Sequence, residues 1–506
     1  MAPSSTATKS PRPPGASFNA AAWIFSIATC IKLLLIPSYR STDFEVHRHW
    51  LALTSSLPLR QWYLDASSIW TLDYPPLFAH FSYLLSLPAS LFDPAITSLS
   101  SSTGSHTPRT VLYLRLTAAL CDLSLFFASY RLISTLRRRS LFTLVLILWS
   151  PSLFIVDHVH FQYNGFLLGI FLLSLGFLEE GRDLAGGFVF AVLLCSKHLF
   201  LVAAPFYFVY LLRHYCRGGF FRGFSRLVIM GIAVAAVFVA SFGPFVYYGQ
   251  IKQVFSRLFP FGRGLCHAYW APNIWVFYIL LDKALAFAFT KLGFIVETPM
   301  ASFTGGLVGE SSPFSLLPQV TPIVTFILVL LSMLPCLVKA FKNPQPRHVV
   351  RWVAYTCTCG FMFGWHVHEK ASLHFTIPLA VVATNSLDDA KHFFLLSIVS
   401  CYSLLPLLYE PQEYLTRLLL LLTYSFLMWV GLSSHFAPAR KNGLVGWVSS
   451  IYLVGLASVE LYGQFVHPYL FEKKLPFLPL MLVSFYCAIG MLYSWIWQLI
   501  YIMLHT

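Results

Sequence analysis

Charge is scarce in this chain of 506 residues: Asp, Glu, Lys and Arg together make up 11% of it, against roughly 25% in a soluble domain. With 57% hydrophobic residues and a mean hydropathy of +0.69, that scarcity excludes a soluble globule. The short alternating segments of a membrane barrel are missing too. What the chain has instead is a series of apolar runs of roughly 17–25 residues, each able to cross a bilayer as a helix. Helices satisfy their own backbone polar groups in lipid, so the expected fold class is an all-α polytopic membrane protein.

Other absences narrow the function. No Gly-x-Gly-x-x-Gly, Walker loop or Gly-x-Ser-x-Gly occurs, so a soluble nucleotide-sugar domain is missing. A sugar moved by this protein has to come from a donor held in the membrane. The ten cysteines lie singly; only Cys357 and Cys359 are close, inside a predicted helix, and no disulfide framework or metal spacing results. The N-terminal stretch MAPSSTATKSPRPPGASFN lacks the apolar core of a signal peptide. It reads as a cytosolic tail over 1–19, with the first helix at 20–37 as an uncleaved anchor. Neither a repeat of fixed period nor a matched pair of broken helices appears, against the pattern of an inverted-repeat transporter.

Basic residues outnumber acidic ones by 34 to 20. They cluster between apolar runs, in RLISTLRRRS (131–140), RHYCRGGFFRGFSR (213–226), KAFKNPQPRHVVR (339–351) and ARKN (439–442). That is the positive-inside pattern of cytosolic loops rather than a nucleic-acid surface. The apolar runs predict about 12–14 crossings. For the tail and 137–139 both to be cytosolic, 76–92 must lie in the interface or re-enter rather than cross. The chain then divides into a transmembrane module over 20–245 with a long luminal loop at 38–108, a luminal or re-entrant segment at 246–317, and a C-terminal transmembrane module over 318–506. On this topology the polar stretches STDFEVHRHW (41–50), DHVHFQYNG (157–165), SKH (196–198), HVHEK (366–370) and EPQEY (410–414) share one membrane face.

These stretches carry the candidate chemistry. In STDFEVHRHW, Asp43 or Glu45 can serve as a general base, and Arg48 as a phosphate contact. Extended backbone would set both carboxylates on one side, whereas a helical turn would set Asp43 toward His47; Thr42 or Asp43 would cap a following helix. In WTLDYPPLFAH, Asp73 precedes two prolines that stiffen the segment. DHVHFQYNG offers Asp157 and His158 to sugar or phosphate, and its His-x-His pair raises zinc, but no third or fourth ligand is adjacent. Lys197 and His198 interrupt an apolar run, where a charge is costly without a partner. Arg257, Arg263, His267 and Trp270 combine phosphate-binding forks with rings that stack on sugars. His366, His368, Glu369 and Lys370 form a compact phosphate handle. No metal and no cofactor is expected.

STDFEVHRHW, WTLDYPP, DHVHFQYNG, SRLFPFGRGLCHAYWAPN and GWHVHEK resemble the endoplasmic-reticulum glucosyltransferases of N-glycan assembly, the polytopic lipid-donor enzymes of the GT-C superfamily, family 57. The first two, with GLCHAYWAPN, are closer to the members that add the second glucose than to those that add the first. The resemblance implies an inverting α1,3-glucosyl transfer from dolichyl phosphate glucose to a dolichyl-pyrophosphate-linked oligosaccharide of nine mannoses and one glucose, at the luminal face of the endoplasmic-reticulum membrane. It implies Asp43 as the catalytic base, His368 near the donor phosphate, and no dependence on a metal. Beside it stand the sibling activity that adds the first glucose and, in another class, a polytopic lipid or solute transporter. A transporter calls for charge at mid-membrane depth, and there Asp122 and Glu460 have no evident partner in sequence.

Overall fold

The computed structural model describes residues 17–99, 107–135, 140–267, 271–294, 296, 314–437, 443–472 and 474–506. Among them the chain is helical throughout, and its only extended pairing is a single bridge between Cys266 and Val367. Seven described helices are long and apolar enough to cross a membrane: 108–135, 142–161, 220–247, 322–342, 387–407, 411–435 and 478–505. This is a multi-pass membrane protein. Other expected crossings take the form of shorter apolar helices, such as Phe18–Leu34 and Asn164–Glu179. The run expected over 184–213 is broken where SKH falls. A helix ends at Leu194, a 3-10 turn spans His198–Ala203, and a second helix runs Ala204–His214.

Sequence signals explain several helix starts. Pro108 and Pro322 occupy first turns, where a missing N–H costs nothing, and Thr107 and Thr321 cap them through their hydroxyls. The stretch 41–50 is not a loop. It opens the helix Thr42–Ser56, and the cap is Ser41, whose hydroxyl accepts the Asp43 N–H at 3.1 Å, rather than Thr42 or Asp43. Residues 76–92 form two short helices, Pro76–Ser86 and Ala89–Phe92. The arginines at 137–139 and the run 439–442 lie outside the described residues.

Tight seams hold the bundle. A Cβ on Gly169 would lie 2.2 Å from Ser124 Oγ and 2.4 Å from its carbonyl carbon, so the helices Leu123–Thr135 and Asn164–Glu179 meet almost backbone to backbone. Lipid gives helices no hydrophobic reason to associate, and such close packing of small residues supplies the contact energy instead. On the outside, the helix Phe220–Tyr247 presents Ile232, Val239 and Val246.

Charges within the bundle are partnered. Lys32 and His158 both reach Asp122 Oδ2, His158 Nε2 at 2.7 Å. Glu460 accepts from the Tyr402 hydroxyl at 2.9 Å and lies 3.5 Å from Arg417. The two carboxylates that lacked partners in sequence thus complete structural ion pairs, as buried charges must.

Candidate active site

Four sequence-distant segments converge at one end of the bundle. The Thr42–Ser56 helix brings Asp43 there with its first turn. The segment Phe154–Phe161 is a π-helix; it delivers His160, and the bend after it delivers Gln162 and, at the start of the next helix, Asn164. Lys197 comes from the break after Leu194. The turn Glu369–Ser372 supplies Lys370. Two residues beside the site hold left-handed backbone unusual for side-chain-bearing residues: Phe161 at φ 85° and His366 at φ 50°. Such conformations cost of order 1–3 kcal/mol and persist where surrounding contacts enforce them.

Asp43 is the hub. Its Oδ2 accepts from Lys370 Nζ at 2.6 Å and Gln162 Nε2 at 2.6 Å, with His160 Nε2 at 3.3 Å. Its Oδ1 has no hydrogen-bond partner among the described residues, and the side chain is 23% exposed. One oxygen is therefore tethered and the other left to a ligand. Burial opposes ionisation of Asp43, but the nearby Lys370 and His160 outweigh it, and the carboxyl sits well below its ordinary 3.8. His160 Nδ1 meets the Tyr39 hydroxyl at 3.1 Å, which donates to the Leu407 carbonyl at 2.6 Å.

A hydrogen-bonded chain fixes Gln162. Asn164 donates to Gln162 Oε1 and to Asp157 Oδ1, both at 2.8 Å, and accepts from Lys197 Nζ at 2.7 Å. Asp157 Oδ2 takes the Gly165 N–H at 2.6 Å. Lys197 is 4% exposed and lies over the Tyr74 ring, so it does not snorkel to the interface but belongs to this network.

The HVHEK segment faces the same space. His267 and His368 rings stand 4.1 Å apart, and His368 Nδ1 lies 3.0 Å from Glu369 Oε2. Ligand atoms of His267, His368 and Glu369 all fall within 4.8 Å of one another, a donor set able to hold a cation. Burial drives His267 down to about 3 and His368 well below its ordinary value, and lifts the Glu369 carboxyl. The histidines are thus neutral at physiological pH. Asp73 is pushed up to about 6, first by burial, against the opposing charge of Arg263 and with the repulsion of Asp43.

Not every sequence candidate joins this cluster. Glu45 and Arg48 bind each other through three hydrogen bonds of 2.6–3.1 Å, and Arg48 also holds the Ser98 carbonyl at 3.0 Å. Asp43 and Glu45 do not share a side, because the segment is helical. His158 is committed to Asp122 and His160 to Asp43, so the His-x-His pair does not converge on one ion. His198 packs edge-on to Phe259, Arg257 reaches the Asp65 carbonyl at 3.4 Å, and His366 Nδ1 pairs with the Gly264 carbonyl at 2.7 Å. Trp270 lies outside the described residues. His160, Gln162, Asn164 and Tyr39 are the site groups that sequence reasoning passed over. The first three stand in the very motif from which Asp157 and His158 were chosen, and only the π-helical turn decides which of them faces Asp43.

One free carboxylate oxygen beside an ammonium group and neutral imidazoles suits removal of a proton from a neutral hydroxyl next to an anionic leaving group. A model of the ALG6, ALG8 glycosyltransferase family matches residues 28–498. The chain is 60% identical over 489 residues to the dolichyl pyrophosphate Glc1Man9GlcNAc2 alpha-1,3-glucosyltransferase of Arabidopsis thaliana, covering 94% of this chain and 96% of that protein. Identity is 42% over 500 residues to the protein of that name from Bos taurus, with 94% of each covered. It is 41% over 487 residues to the one from Gibberella zeae, with 93% and 96% covered.

Proposed function

This chain belongs to the ALG6, ALG8 glycosyltransferase family, and from that premise we propose that it adds the second, α1,3-linked glucose to the dolichyl-pyrophosphate-linked Glc1Man9GlcNAc2 oligosaccharide. The acceptor and linkage rest on the names of relatives at 42–60% identity over nearly the whole chain. The donor is dolichyl phosphate glucose, in keeping with the missing nucleotide-sugar domain. The reaction takes place at the luminal face of the endoplasmic-reticulum membrane, as in the GT-C class.

The observation that carries the mechanism is the division of Asp43 into a tethered Oδ2 and an open Oδ1. The acceptor hydroxyl attacks the anomeric carbon in line, and the bond from that carbon to the phosphate oxygen breaks. The electron pair leaves with the dolichyl phosphate, and the hydroxyl proton passes to Asp43 Oδ1. Configuration inverts. Lys370 holds the carboxylate in place, and its charge lies where the leaving phosphate becomes more negative. His368 and Arg263 offer further donors to that phosphate. A carboxylate as acidic as Asp43 is a weak base, so proton transfer comes late, once the attacking oxygen has become acidic through bonding to an oxocarbenium-like carbon.

The test is to give purified protein the lipid-linked acceptor with and without its first glucose, with dolichyl phosphate glucose as donor. Product from the glucosylated acceptor alone supports the reading. Transfer only to the unglucosylated acceptor assigns the sibling activity, and no transfer to either refutes it.

A further inference from the structure

A cavity of about 990 Å³ opens beside the first turn of the Thr42–Ser56 helix, and the chemistry described so far makes no use of it. Its wall includes Tyr39 to Thr42, immediately before Asp43, and Glu45, Trp70, Tyr409, Glu410 and Gln412. It lies at the upper end of the size range for small-ligand sites. Among the described residues, the side chains of Arg40, Thr42, Glu410 and Gln412 have no hydrogen-bond partner. Glu45 is braced by Arg48, and Tyr39 by the backbone bond from its N–H to Glu413 Oε1 at 2.8 Å. The wall thus combines fixed groups with open ones.

The chemistry of this wall differs from that around Lys370. It holds one guanidinium against two carboxylates, so it does not select a phosphate. Three aromatic rings among hydroxyl, amide and carboxylate groups match a neutral polyol, whose C–H faces stack on rings while its hydroxyls both donate and accept. The cavity is also coupled to the base. Tyr39 contributes to its wall and reaches Asp43 through His160. We infer that this cavity seats the glucose-bearing arm of the acceptor oligosaccharide, with Trp70, Tyr409, Arg40, Glu410 and Gln412 reading its sugars. The lipid-phosphate donor enters on the opposite, Lys370 side of Asp43. This inference rests on the glucosyl-transfer reading above and adds to it a location and a set of specificity residues.

Trp70→Ala and Gln412→Ala separate the possibilities in steady-state assays, with acceptor and donor varied in turn. Gln412 is exposed, and the Trp70 carbonyl that accepts from Trp50 Nε1 survives substitution, so both variants fold. The acceptor KM is expected to rise about tenfold in each while the donor KM stays within about twofold. Free Glc1Man9GlcNAc2 glycan, titrated against wild type and Trp70→Ala by calorimetry, should lose affinity by the same factor. An unchanged acceptor KM in both variants, or a raised donor KM instead, overturns the cavity assignment while wild-type turnover stands. Absence of product from the wild type overturns the function itself.

Discussion

Asp43 and Lys370 stand 327 positions apart in sequence and 2.6 Å apart in space, their charges paired at the mouth of the bundle. This pair fixes which carboxylate oxygen is free. The sharpest prediction follows: Asp43→Asn keeps the size and most hydrogen bonds of the side chain but cannot take a proton. Turnover with purified lipids should fall by about 10²–10⁴-fold, the usual contribution of a general base, while binding of dolichyl phosphate glucose persists. Near-normal turnover would remove Asp43 from the role.

Lys370→Met bears on the pH profile. Asp43 is depressed in the folded protein, so it is ionised at every pH above its ordinary value, and the activity it supports is lost only as pH falls through the depressed value. Without Lys370 the depression shrinks and burial acts with less opposition. The acidic limb of kcat/KM should move to higher pH. A limb that moves to lower pH, or stays in place, contradicts the pairing.

Asp73 behaves in the opposite sense. Its folded value of about 6 exceeds the ordinary 3.8, so the carboxyl favours the fold while protonated, and that contribution is lost as pH rises through about 6. Asp73→Asn should therefore raise Tm relative to the parent at pH 7.5 and leave it unchanged near pH 4. Thermal melts in detergent at the two pH values decide this, independently of activity.

Much of this site was legible in the sequence, because charge is so costly in such a chain that clustered ionisable residues stand out. STDFEVHRHW, SKH and HVHEK do meet, and the EPQEY stretch joins them through Glu413 on the Tyr39 N–H. What could not be read was direction. Asp157, His158, His160 and Gln162 are equally polar neighbours in one motif, and only the π-helical winding of Phe154–Phe161, which local spacing does not reveal, turns His160 and Gln162 toward Asp43. Glu45 and Arg48 are three apart, a spacing that pairs them only on a helix, and the sequence leaves this stretch open between extended backbone and a helical turn. The partners of Asp122 and Glu460 come from helices far away in the chain, which no local spacing reveals.

The Lys32–Asp122–His158 cluster gives a stability prediction. Asp122→Asn leaves a buried ammonium without its counter-charge and should cost about 3–5 kcal/mol. Pairing it with Lys32→Met should recover part of that loss. Chemical denaturation of both single variants and the double variant measures this; a double-variant loss equal to the sum of the two single losses would mean that the pair carries no coupling.

Gly165→Ala tests the seam next to the network. The added methyl would fall 1.8 Å from Asp122 Oδ1 and in ordinary contact, at 3.5 Å, with Asp157 Oδ2, so the Asp122 carboxylate must shift right beside the Asp157–Asn164–Gln162 chain. Reduced thermal stability together with reduced kcat is expected. A variant that is less stable but fully active would show that Gln162 does not depend on this support.

The widened turns of Phe154–Phe161 deal neighbouring polar residues to separate clients: Asp157 to the Gly165 amide, His158 to Asp122, His160 to Asp43 and Tyr39. Removing one residue there would still leave enough chain to traverse the bilayer, yet it would reassign every client at once. Natural selection should consequently tolerate swaps among the greasy positions of this stretch far more readily than any change in its length.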